Sequence, residues 1–288
     1  SLSFGTGIHS RLEPISIYAN NLARPLSNAG FIFDGGDSFL FSPRSTLRLT
    51  QSWHNVIGVN WAVASQLRFN AEIYHQYLFN VPVKNDPAST LSTINYSHFD
   101  PDYGFERDGL VNKGRGANYG VEFTLERFFH RNYYFMLTSS LFKSRFRPLD
   151  GIWRNTRFDQ TYVFNALGGK EFFLGKNKQH VFGFNLKLVW TGGLRTTPID
   201  LAASRAQGRE VIVEEQLFDD RLPGFFRIDT GLSYRWNKAR YSLVTSIDIQ
   251  NTTNRQNVQN RYFDARADGI VTVYQLGIVP IINLRVEF

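Results

Sequence analysis

Residues 110–147, LVNKGRGANYGVEFTLERFFHRNYYFMLTSSLFKSRFR, decide the fold. Within them Tyr119, Val121, Phe123 and Leu125 alternate with Gly120, Glu122, Thr124 and Glu126. Side chains of an extended chain point to opposite faces in turn, so a period of two reads as a strand with one apolar and one wet face. Only the short stretch FFHR, 128–131, separates it from a second aromatic run, and a gap of that length is a hairpin turn. The two runs are antiparallel strands, 117–128 and 132–145.

The same dyad recurs along the chain. In RIDTGLSYRW, Ile228, Thr230, Leu232, Tyr234 and Trp236 oppose Arg227, Asp229, Gly231, Ser233 and Arg235. In HVFGFNLKLVW, Phe182, Phe184, Leu186, Leu188 and Trp190 oppose Gly183, Asn185 and Lys187. QLRFNAEIYHQYLF and YSLVTSIDIQ behave alike, while YVFNALGGKEF alternates less cleanly and still reads as a strand. The last residues, IINLRVEF, set Ile282, Leu284, Val286 and Phe288 against Asn283, Arg285 and Glu287, so the sequence ends on a strand. The pattern predicts about ten strands, at 1–10, 47–64, 66–80, 117–128, 132–145, 160–174, 179–195, 225–236, 239–251 and 278–288.

The connections alternate in length. Those after the strands ending near Ala64, Arg127, Leu174 and Trp236 are short, whereas those at 11–46, 81–116, 146–159, 196–223 and 252–270 are long and rich in Asn, Asp, Gly, Pro and aromatics. Long strands with tight turns at one end and long loops at the other describe an all-β, antiparallel transmembrane β-barrel of the bacterial outer membrane. A soluble sandwich also alternates, but its strands average about five to six residues and its long connections need not share one end. Trp53, Trp61, Tyr133, Trp190, Tyr234 and Trp236 fall near strand ends, where an aromatic girdle is expected.

Composition agrees. Of the residues, 42% are hydrophobic and 15% aromatic, with 26 Phe and 13 Tyr against one Met, a profile that suits strands. No cysteine is present, which removes disulfides and thiolate metal sites. The net charge of +7 is scattered along the chain instead of gathered in a patch or helix, so a nucleic-acid partner is not expected. No apolar run is long enough for a transmembrane helix, a test to which barrel strands are blind. The opening SLSFGTGIHS has neither the basic start nor the apolar stretch of a signal peptide, so the sequence reads as mature, trimmed or cut from something longer.

The 110–147 hairpin resembles the barrel hairpin of TonB-dependent outer-membrane receptors through Gly116, Asn118, Tyr119, Gly120, Val121 and Glu122. RIDTGLSYRW with YSLVTSIDIQNTTNRQN is similar to the penultimate hairpin of that family, and YQLGIVPIINLRVEF to its closing strand, particularly in receptors of Bacteroidota. The resemblance implies that residues 1–288 form the C-terminal part of a barrel of about 22 strands, whose plug, TonB-contacting segment and earlier strands lie outside this sequence. It also implies energised import of a scarce ligand such as a siderophore, glycan or peptide, with outer-membrane lipid, TonB and the barrel assembly machinery as partners and no cofactor. Leu284, Val286 and Phe288 would form the C-terminal signal read by that machinery.

Ligand contacts are expected from the loop NYSHFDPDYGFERD, through Tyr96, His98, Asp100, Tyr103 and Arg107, although such a loop can equally pack on itself. Arg68, Glu72, Glu122, Glu126, Arg227, Asp229, Arg235 and Asp248 are expected to face the lumen as hydrated wall or plug-docking charge. The rival readings are a complete small barrel, either an omptin-like protease or a passive porin. A protease would need a rim Asp–His couple; His98 with Asp100 and Asp102, or Asp219 with Asp220, are the available groups, and the omptin spacings are lacking. His9, His54, His75, His98, His130 and His180 show no metal-ligand spacing, so no catalytic or metal residue is assigned.

Overall fold

The computed structural model describes residues 1–14, 17, 47–95 and 109–288. All ten expected strands form. They are β1 (Leu2–Arg11), β2 (Thr50–Ala64), β3 (Leu67–Lys84), β4 (Leu110–His130), β5 (Tyr133–Arg147), β6 (Tyr162–Leu174), β7 (His180–Thr191), β8 (Phe225–Asn237), β9 (Ser242–Gln250) and β10 (Val279–Glu287). Each pairs antiparallel with the next in chain order, giving one meander with β1 and β10 at its ends. Among the described residues those two end strands are not paired with each other, so the sheet is open.

Two strands, β3 and β4, outrun their expected limits by more than two residues. The upper ends of β3 and β4 continue past the clean alternation because bulges between Leu78, Val81 and Val83 break the period while keeping the ladder. Several connections hold structure of their own. A hairpin, Val258–Asp264 with Gly269–Tyr274, lies in the connection before β10, and helix α1 (Leu201–Gln207) lies between β7 and β8. Asp200 caps the helix by accepting from the Ala203 N–H, and Gly208, at φ 65°, ends it in the left-handed conformation. The tight turn between β4 and β5 places Arg131 at φ 51° and Asn132 at φ 65°, as a two-residue turn of primed type requires.

Residues opposite one another in an antiparallel pair share a face, so the register sorts the wall. One row runs Phe4, Ile57, Ile73, Val121, Leu141 and Tyr162 across six strands. Ile57, Ile73 and Leu141 are 51%, 62% and 50% exposed, so none of the described residues covers this apolar face. Every wall carboxylate lies on the other, polar face: Glu72, Glu122, Glu126, Glu171, Asp229, Asp248 and Glu287. Trp53, Trp61, Tyr133, Trp190, Tyr234 and Trp236 all sit on the apolar face. Trp53 and Trp61 mark the two ends of the band on β2. Their separation is about 27 Å along a strand, or roughly 20 Å once a barrel tilt is allowed for, close to the apolar height of an outer-membrane wall.

Candidate functional site

Two surfaces can meet a solute, the polar face of the wall and the body of loops at one end of it. On the polar face, side chains join in a line from strand to strand. Asn118 on β4 lies opposite Gln76 on β3 and Ser144 on β5, and Gln76 lies opposite His54 on β2. The Thr156 hydroxyl donates to Ser144 Oγ at 2.8 Å and Ser144 donates to Asn118 Oδ1 at 2.7 Å. Asn118 Nδ2 donates to Gln76 Oε1 at 2.6 Å, and Gln76 Nε2 meets His54 Nε2 at 2.7 Å. Because the amide nitrogen donates, the imidazole Nε2 accepts and its ring proton is on Nδ1. His54 in turn stands edge-on to His9 on β1, ring centroids 4.9 Å apart. The result is a polar track across five strands that offers amide, hydroxyl and imidazole groups at one side of the wall.

Further along the same face, Glu72 and Glu122 are direct cross-strand neighbours, held by Asn70 Nδ2 at 3.0 Å and Ser140 Oγ at 3.3 Å respectively. Arg68 lies opposite Glu126, and Arg227 pairs with Asp229 at 3.0 Å. Arg68, Glu72, Glu122, Glu126, Arg227, Asp229, Arg235 and Asp248 thus share the face that the alternation predicts for them.

The loop body is fastened by a buried ion cluster. Asp159 is fully buried, and its Oδ2 takes Arg195 Nε at 2.8 Å, Arg221 Nη2 at 3.3 Å and Lys143 Nζ at 3.4 Å. Burial, then the neighbouring Arg195 charge, pulls the Arg221 guanidinium below its ordinary value, and Asp159 pulls the other way. An arginine so shifted stays charged at any physiological pH. Beside the cluster Phe146 packs edge-on against Phe218, centroids 6.2 Å apart, with Leu217 and Ile94. Phe218 sits at φ 59°, a region bulky residues avoid, and the packing on Phe146 with the Thr197 Oγ1 acceptor at its N–H holds it there.

The asparagines of NTTNRQN each make a specific bond. Asn251, at φ 51°, clamps the carbonyls of Arg255 and Leu276. Asn254 Oδ1 accepts from the Ile278 N–H, and the Asn257 side chain pairs with both backbone groups of Phe226, prolonging the β8 ladder. Arg205 of α1 reaches Asp268 at 3.2 Å, and Glu210 accepts from the Phe263 N–H at 2.9 Å. The connections 148–161, 192–224 and 251–278 are therefore tied into one body over the end of the wall.

The expected ligand residues Tyr96, His98, Asp100, Tyr103 and Arg107 lie outside the described residues, as does Asp102. Asp220 Oδ1 accepts from the following backbone N–H at 2.7 Å, and the Asp219 carbonyl accepts from Arg195, so this pair is engaged in the loop's own bonds. Leu284 and Val286 lie on the apolar face, and Phe288 stands fully exposed just past β10. Among the described residues no group of three or more His, Asp or Glu is arranged to hold a metal ion. Sequence reasoning missed the polar track, because each member is unremarkable in its own strand, and Asp159, whose partners lie far along the chain.

No known protein-family profile matches the chain, and no curated protein does. Solved structures do. The ferric-catecholate import receptor Fiu of E. coli K12 aligns at 10% identity and a TM-score of 0.56, over 99% of this chain and 32% of that one. The ferric yersiniabactin uptake receptor FyuA of Yersinia pestis aligns at 12% and 0.54, over 83% of this chain and 30% of that one. The outer membrane transporter YddB of Escherichia coli aligns at 15% and 0.53, over 84% and 33%. The chain spans about a third of each of these, and its fold is that of a wall segment of such receptor barrels.

Proposed function

We propose that this chain is the C-terminal wall segment of a TonB-dependent outer-membrane receptor, a non-enzymatic importer of a scarce ligand in a Gram-negative bacterium. The observation that carries it is the sorting of the wall. An uncovered apolar face bounded by aromatic rings suits lipid, while the opposite face, holding every wall carboxylate, suits a hydrated lumen or a plug. The open meander fits part of a wider cylinder, because curvature and strand number are coupled, and it fits the third of the receptor structures that the chain spans. In this reading the loop body faces outward and contributes ligand contacts, with Tyr96, His98, Asp100, Tyr103 and Arg107 as its candidates. TonB acts through a segment beyond this sequence, and Leu284, Val286 and Phe288 address the assembly machinery. Siderophore, glycan and peptide ligands all suit such loops.

The test is uptake by cells producing the intact protein. Accumulation of a candidate siderophore, oligosaccharide or peptide set is expected to depend on the gene and to stop when the proton gradient is collapsed. Accumulation that survives collapse of the gradient would favour a passive pore instead.

A further inference from the structure

On the apolar face one row is polar where the rows beside it are not. Across β1 to β4 the row Phe4, Ile57, Ile73 and Val121 is followed, one step toward the long loops, by Thr6, Asn55, His75 and Tyr119, and then by Ile8, Trp53, Tyr77 and Ala117. Asn55 lies between the tryptophans that bound the band on β2, two residues from Trp53 and six from Trp61. That places it roughly 5 Å inside the nearer ring once a barrel tilt is allowed for, below the headgroups. Trp53 Nε1 donates to Thr6 Oγ1 at 3.0 Å, and Thr6 donates to Asn55 Oδ1 at 2.8 Å. Asn55 Nδ2 and the ring nitrogens of the exposed His75 meet no hydrogen-bond partner among the described residues. Two hydroxyls elsewhere on this face close bonds of their own: Thr245 donates to the Asn283 carbonyl at 3.3 Å, and Thr230 meets Thr252 at 3.0 Å.

Hydrocarbon offers neither donor nor acceptor, so an amide and an imidazole turned into it are destabilising until another protein surface covers them. The patch is complementary to itself. An amide nitrogen donates, an imidazole ring carrying one proton accepts at its other nitrogen, and Asn55 and His75 are direct cross-strand neighbours. The three rows hold no Lys, Arg, Asp or Glu on β1 to β4, so two identical patches approach without repulsion. We infer that a second copy of this protein docks here within the membrane, about a two-fold axis along the membrane normal between β2 and β3. The Asn55 amide of each copy donates to the His75 ring of the other, and Ile57, Ile73 and Trp53 pack around the two bonds. The same patch serves both copies, so the contact closes on itself and yields dimers. The inference rests on the reading of the apolar face as lipid-facing.

The experiment uses the intact protein, labelled in two colours, mixed and inserted in phosphatidylcholine vesicles at falling ratios of protein to lipid. Energy transfer between the labels is expected to fit a monomer–dimer equilibrium. Asn55→Leu with His75→Leu is expected to shift its midpoint to a protein density roughly tenfold higher or more, because both interfacial bonds are lost from each copy. Leucine suits lipid, so the variant keeps its place in the membrane. Thr245→Leu, on the same face beyond the patch, is expected to leave the midpoint unchanged. If the Leu pair does not insert, His75→Leu alone is read the same way. A wild type that stays monomeric at every ratio, transfer that fits assemblies larger than two, a midpoint unmoved by the Leu pair, or an equal shift by Thr245→Leu overturns the inference while the membrane reading stands. Failure of wild type to enter the vesicles overturns both.

Discussion

Asp159 gathers three cations on one oxygen away from bulk solvent, so its removal leaves Arg195 buried without its anion. Breaking a buried ion pair from one side costs about 3 to 5 kcal/mol, less here because Lys143 and Arg221 keep partial contact with solvent. Asp159→Asn is expected to speed amide hydrogen exchange across 148–161 and 192–224 while β6 and β7 stay protected; unchanged exchange in those loops would contradict the role given to it. Nearby, Gly192 and Gly193 bring loop backbones into contact, since a Cβ on either would strike the carbonyl of Gln160 or Leu222. Gly193→Ala is expected to loosen the same segments. At the chain's end, Phe288→Asp is expected to lower the outer-membrane yield of the intact protein more than Leu276→Asp, a change at a largely exposed leucine in a loop. Equal yields would refute the signal. None of the partnerships of Asp159 was legible in the sequence, because an ion cluster drawn from three separate segments leaves no local spacing to read.

At the scale of elements, the faces of strands were legible and their registers were not. Alternation survives because one face is apolar for its whole length, and the hairpin turns are short enough to show as gaps. Sliding a strand by two residues preserves that alternation, so the meeting of His54, Gln76, Asn118 and Ser144 could not be foreseen. The Val258–Asp264 and Gly269–Tyr274 hairpin escaped notice for a different reason: QNRYFD has polar groups on both faces and no period to detect. Asn118→Leu breaks the track at its centre and strands a Gln76 acceptor and a Ser144 donor, a loss of about 1 to 3 kcal/mol. Adding Gln76→Leu is expected to cost less than the sum of the two single changes, because the second removes a group the first has already orphaned. Urea unfolding of the intact barrel in micelles measures both, and strict additivity would show that the two amides are not coupled.

The molecule as a whole is a wall with two bare margins. Each of β1 and β10 has one neighbour, and the other row of its N–H and C=O groups meets no strand of the described chain. In lipid each such group costs several kcal/mol, so the 288-residue chain refolded alone is expected to associate through these margins. Light scattering after gel filtration in detergent tests this; a monodisperse monomer with slow exchange along the outer amides of β1 and β10 would rule it out. The confinement of all wall carboxylates to one face has a genetic consequence as well. Loss of a single codon within a wall strand rotates everything up to the next turn by half a period, and in β4 a deletion at Val121 would swap Glu122 and Glu126 with Phe123 and Leu125 relative to the strand's beginning. Loss of two codons restores the phase. The wall therefore has a reading frame of its own, two residues wide, and drift in length is tolerated in pairs inside it and freely only in the loops.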